Sequence, residues 1–145
     1  MLGLSVGLLA ACGDDAGEAA DRHVSVSDAW ALATVTGQPN GAVYFTVVST
    51  AADTLQRIQV PNSIADHAEI HDAVTNAKGQ MAMQEMSSGV TLEPGTAVTF
   101  TPGGKHVMLV DLAQPLAAGQ TFDVTLEFAK ADSVTLPVAV VESAP

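Results

Sequence analysis

From Val24 onward the chain is cut into short runs rich in Val, Thr and Ile, and every run is closed by turn chemistry. The runs fall at 24–35, 41–50, 54–60, 68–74, 80–86, 97–101, 106–112, 121–128 and 133–142. Between them lie GQPNG, VPNS, TNAKG, EPGT, TPGG and AAGQ. Gly, Pro, Asn and Asp at such spacing supply the backbone conformations that reverse a strand. No segment keeps a 3.6-residue apolar period with caps at both ends, so helix is excluded as the organising element. Short strands with partial alternation and frequent turns predict an all-β, antiparallel sandwich or barrel. At 145 residues the chain suffices for one such domain.

Composition narrows the classes of partner. Hydrophobic residues make up 48 % and charged residues 14 %, which is a chain able to build a core. Sixteen acids against five Lys and Arg give a net charge of −11, and nucleic acid phosphates would be repelled. The single cysteine ends an apolar run, MLGLSVGLLAAC, whose close Leu9-Ala10-Ala11-Cys12 resembles the lipobox of bacterial lipoproteins. Residues 1–11 then read as a signal peptide, with any positive n-region lying upstream of Met1 because no Lys or Arg precedes Arg22. Cys12 becomes the lipidated first mature residue. Residues 12–23, which include GDDAGEAADR and end at His23, form a small acidic tether, and 24–142 form the folded domain.

Chemistry concentrates in His and Met. His106 and Met108 follow the TPGG turn two residues apart, so on a strand they share one face while Val107 and Leu109 turn to the other. A second grouping lies in HDAVTNAKGQMAM, residues 71–83. If Asn76, Ala77 and Lys78 form a three-residue loop between Thr75 and Gly79, His71 lies opposite Met83, and Met81 shares that face. A slip of one residue would move both Met to the other side. Met86 has the wrong parity unless a bulge intervenes. His67 stands four residues before His71, roughly 13 Å along a straight strand at about 3.3 Å per residue, which makes it a secondary candidate only. His23 reads as a surface residue and Trp30 as a core residue. Lys105 and Asp111 read as the solvated ends of the H-x-M strand.

Two imidazoles and two thioethers would form a soft, neutral donor set. Such a set favours Cu(I) over Zn(II) or Mg(II). A blue-copper centre needs a Cys thiolate, and the only Cys is placed at the lipid anchor. Hydrolytic metal catalysis is equally ill served by thioethers. The same residues also suit a metal-free sheet edge, with Met filling an irregular core and His simply hydrogen-bonded. Taken alone, the residues leave both readings open.

Several stretches resemble, in order, the PCu(A)C family of periplasmic copper chaperones: VSVSDAWALAT, GAVYFTVVST, AEIHDAV, MAM, EPGTAVTFTPGGKHVMLVDLAQPLAAGQTFDVTLEF and VTLPVAV. The resemblance covers residues 24–141 and implies a cupredoxin-like Greek-key sandwich or barrel. The family motif has a His, an optional adjacent Met, a Met after ten residues and H-x-M after twenty-one more; here the intervals are eleven and twenty-two, and Asp72 replaces the optional Met. Each extra residue falls in a segment that contains a turn, where length varies easily. The resemblance implies His71, Met83, His106 and Met108 as ligands, with Met81 the alternative to Met83. Met83 is preferred because the family uses the second Met of M-x-M.

The implied protein is no enzyme. It is an extracytoplasmic, lipid-anchored Cu(I) chaperone in the periplasm or on the outer face of the cell membrane. It hands copper to an acceptor such as the CuA subunit of cytochrome c oxidase. The rivals are a copper buffer for tolerance and a metal-free cell-surface interaction module.

Overall fold

The computed structural model describes residues 24–145, and all of its regular structure is β. The signal peptide, Cys12, the tether and His23 lie outside the described residues. Ten strands form one sheet: β1 Val24–Leu32, β2 Gly41–Ser49, β3 Asp53–Gln59, β4 Ala65–Thr75, β5 Met81–Glu85, β6 Val90–Leu92, β7 Val98–Thr99, β8 His106–Leu112, β9 Thr121–Phe128 and β10 Val134–Val141. The spatial order is β5-β4-β8-β2-β1-β10-β9-β3-β6, with β7 on β2. β8 is inserted between β4 and β2, and β9 between β10 and β3, as Greek-key connections require. The pairings are antiparallel except β1 with β10, which run parallel. This one pairing departs from the expected all-antiparallel arrangement, and it joins the first strand of the fold to the last.

The sheet curls until β3 lies over β4, and the alternating apolar positions meet inside. Val43, Val47, Leu55, Val107, Leu109, Leu126 and Val138 are wholly buried, and the Phe45 and Phe100 rings stack with centroids 4.4 Å apart. Trp30 is partly buried at the core margin, 4.5 Å from the Tyr44 ring. One charged side chain enters the interior with full compensation. Asp53 accepts hydrogen bonds from the backbone N–H groups of Thr54, Lys130 and Ala131 at 2.7 to 2.9 Å, which ties the β9–β10 connection to the start of β3.

Two turns place the His and Met residues. In TPGG, Gly103 adopts φ of 83°, a left-handed conformation that glycine reaches without strain. Thr101 N–H donates to the Lys105 carbonyl at 2.9 Å, so β8 starts immediately at His106. The β4–β5 hairpin keeps a three-residue loop but shifts it by one residue: Asn76 N–H donates to the Gln80 carbonyl at 2.9 Å, so the loop is Ala77, Lys78 and Gly79 rather than Asn76, Ala77 and Lys78. The Asn76 carboxamide oxygen accepts from both Lys78 N–H and Gln80 N–H, at 2.9 and 3.0 Å, and braces this loop from its base. Thr75 therefore pairs with Met81, Ala73 with Met83 and His71 with Glu85. The register differs by two residues from His71 opposite Met83. Because side chains alternate with period two, the shift preserves the shared face of His71, Met81 and Met83. Met86 lies beyond β5 and packs half-buried against the core, its N–H bonded to the Ile70 carbonyl at 2.7 Å.

Candidate metal centre

β4 and β8 are adjacent, and their register sets His71 directly opposite His106 and Glu69 opposite Met108. Val107, Leu109 and Ile70 alternate away into the core. His71, His106, Glu69 and Met108 are thereby left on the other face. The two imidazole centroids lie 5.6 Å apart. His106 opens β8 at the end of the sheet, as the PGG turn predicts, yet its ring is covered, with only 7 % of the residue exposed. Met83 and Met81 share this face from β5, opposite Ala73 and Thr75. Along β4, Met83 is thus one same-face step from His71, and Met81 is two. Both thioethers are exposed, whereas Met108 is half-buried.

The hydrogen bonds identify which nitrogens are free. His106 Nδ1 lies 3.1 Å from the Gly104 carbonyl, which can only accept, so Nδ1 carries the proton and Nε2 keeps its lone pair. His71 Nε2 lies 2.7 Å from a Glu69 carboxylate oxygen, while its Nδ1 is buried with no partner. A buried nitrogen without a partner is costly, and its position makes it one that could hold a metal. Among the described residues no three His, Cys, Asp or Glu side chains gather to hold an ion. An ion between these two imidazoles needs other donors, and the thioethers on β8 and β5 are the ones sharing their face.

Glu69 is the residue that sequence reasoning missed. It could have been found, because in His67-Ala68-Glu69-Ile70-His71 the period of two puts Glu69 on the same face as both His. Its other oxygen bonds His67 Nε2 at 3.0 Å, and His67 Nδ1 meets Asp66 at 2.8 Å. His71, and after it His67, pull the Glu69 carboxyl below its ordinary pKa. Asp66, and after it Glu69, raise that of His67. His67 is therefore linked to the centre through Glu69 rather than by direct convergence. Lys105 is not simply a solvated strand end: its ammonium lies 3.2 Å from Asp72, a bridge between β8 and β4 beside the His pair.

The fold corresponds to a known class. Two solved structures overlay closely: the apo PCuAC domain from PmoF1 (TM-score 0.65, 28 % identity, 84 % of this chain and 94 % of that one) and the copper-bound PCuAC domain from PmoF2 (TM-score 0.66, 26 % identity, 83 % and 93 %). The architecture is therefore the cupredoxin-like sandwich of PCuAC domains. Residues 24–140 match the family described as "Putative lipoprotein LpqE-like", and the chain belongs to that family. A relative from Leifsonia xyli subsp. xyli, "Putative lipoprotein Lxx21020", is 38 % identical over 117 residues, which span 81 % of this chain and 68 % of the relative.

Proposed function

We propose that this chain is a lipid-anchored, extracytoplasmic Cu(I) chaperone. It holds one ion through His71, Met83, His106 and Met108 and passes it to a copper-accepting protein, with the CuA centre of cytochrome c oxidase as the expected recipient. The observation that carries this reading is the His71–His106 pair, with one buried imidazole nitrogen left unpartnered on a face shared with Met108 and Met83. The copper named for the similar PmoF2 domain supports the choice of metal. The soft thioethers support the monovalent state. The apolar run ending at Cys12 and the lipoprotein family support attachment outside the cytoplasm.

No catalytic step is needed. The ion is cargo, and the chemistry is ligand exchange. Neutral imidazole and thioether donors hold Cu(I) without forming a charged thiolate bond, so an acceptor's Cys, His or Met can replace them one at a time. The exposed Met83 is the natural first donor to yield, because it sits on an edge strand of the sheet.

Anaerobic titration against a Cu(I) chelator tests the reading. The wild-type chain should bind one equivalent. His106→Ala and Met108→Ala should lose affinity by orders of magnitude while the β-type circular dichroism remains. Wild-type affinity in either variant would sink the ligand assignment. Mixing the loaded chain with a soluble CuA domain then tests delivery: retention of copper by the chain would instead indicate a buffer.

A further inference from the structure

We infer that Glu69 sets the coordination mode of the centre, so that copper is taken by Nδ1 of His71 and by Nε2 of His106. The inference rests on the copper-binding reading above and adds to it a positioning residue and an atom-level assignment. Each ring is oriented by an acceptor two residues before it in sequence. For His106 that acceptor is the Gly104 carbonyl, fixed in the turn by the Gly104 N–H bond to the Thr101 carbonyl at 3.0 Å. For His71 it is the Glu69 carboxylate on the same strand face. A backbone acceptor on one ring captures Nδ1, and a side-chain acceptor on the other captures Nε2. The two imidazoles therefore offer opposite nitrogens.

The His71 arrangement is a carboxylate–histidine couple of the kind that orients metal-bound imidazoles. The carboxylate holds the ring, fixes the tautomer and raises the basicity of the remaining nitrogen. Here that remaining nitrogen is the buried, unpartnered Nδ1. Glu69 is itself held, because its second oxygen bonds His67, which is braced by Asp66. The carboxylate also offsets charge. Two neutral imidazoles and two thioethers leave a bound Cu(I) with its full positive charge. Glu69, across from Met108 on β8, places one negative charge on the same face.

Long-range proton–nitrogen NMR on the 15N-His-labelled chain, at about pH 8 and above the ordinary histidine range, tests this. The apo chain should show His71 protonated at Nε2 and His106 at Nδ1. Anaerobic Cu(I) should shift Nδ1 of His71 and Nε2 of His106. A copper-dependent shift at Nε2 of His71, with one ion bound, would overturn the inference and leave the chaperone reading standing. No copper-dependent change at either ring would overturn both. In Glu69→Ala the His71 tautomers should mix, those of His106 should not change, and Cu(I) affinity should fall by about 10- to 100-fold. Glu69→Gln, which keeps a carbonyl acceptor for the Nε2 proton, should retain the His71 tautomer. An unchanged His71 tautomer in Glu69→Ala would equally overturn the positioning role.

Discussion

β8 and β5 each bring thioether to the same face, in opposite mechanical settings. β8 is hydrogen-bonded on both sides, by β4 and β2, and its Val107 and Leu109 are wholly buried. β5 is an edge strand, paired among the described residues only with β4, and all five of its residues are exposed. His106 and Met108 are therefore preorganised by the core itself. Met83 is held only by a hairpin whose loop is set by Asn76. The proposed centre would then have a fixed half and a yielding half. That division suits the proposed chaperone role, in which an ion is both kept and released, because strand edges open at lower free energy than paired interior strands.

The contrast can be broken most forcefully from the inside. Leu109→Ala should destabilise the fold by about 2–5 kcal/mol, since a wholly buried Leu leaves a cavity between packed layers. Chemical denaturation would measure it, and a loss below about 0.5 kcal/mol would mean that β8 is not the rigid half. Met83→Ala should behave in the opposite way. Its exposed position predicts a stability change within about 0.5 kcal/mol. Its proposed ligand role predicts at least about tenfold weaker Cu(I) binding, or ~1.4 kcal/mol. A stable variant with wild-type affinity would remove β5 from the site.

The fold was legible wherever a local period of two carried the information. Val107 and Leu109 could be assigned to the core, and His106 with Met108 to the other face, from alternation alone. β6 escaped because Val90–Leu92 is three residues between two turns, too short for alternation to declare itself. The parallel β1–β10 pairing was invisible for another reason: partners more than a hundred residues apart leave no local signature. The hairpin register turned on one side chain. Asn76 could have lain inside the three-residue loop, but by accepting two backbone N–H groups and donating its own to the Gln80 carbonyl it closes the loop instead, which moves the loop one residue along and the register by two. Of the centre, the residue types were readable and their meeting was not. His71 faces His106 only because β8 inserts beside β4, which is a property of topology. Glu69 shared the legible parity, but its importance emerges only from the 2.7 Å contact that leaves His71 Nδ1 alone.

A smaller effect is expected where the two halves meet. The Lys105–Asp72 bridge spans β8 and β4 beside the His pair, with about a third and a quarter of the two side chains exposed. Partial solvation limits such a pair to roughly 0.2–1 kcal/mol. Asp72→Asn should therefore lower the midpoint of thermal unfolding slightly, and more so at low salt than at high salt, where screening already weakens the pair. Equal losses at both ionic strengths would assign the effect to packing rather than charge.

The smallest effect is expected at Met81, and it is the sharpest test of the register. Met81 and Met83 have the same side chain, share one strand face and are similarly exposed, at 65 % and 58 %. Composition and accessibility cannot separate them. Position can, because Met83 pairs with Ala73, one same-face step from His71, and Met81 with Thr75, two steps away. Each step is roughly 6.6 Å of strand, about the full reach of a methionine side chain. If the hairpin stays in register, Met81→Ala should change Cu(I) affinity far less than Met83→Ala does. Equal losses would show that both thioethers take turns at the ion, and a larger loss at Met81 would mean that the hairpin slides by two residues when copper binds. Either result would relocate the yielding half of the centre while leaving the β8 half where it is.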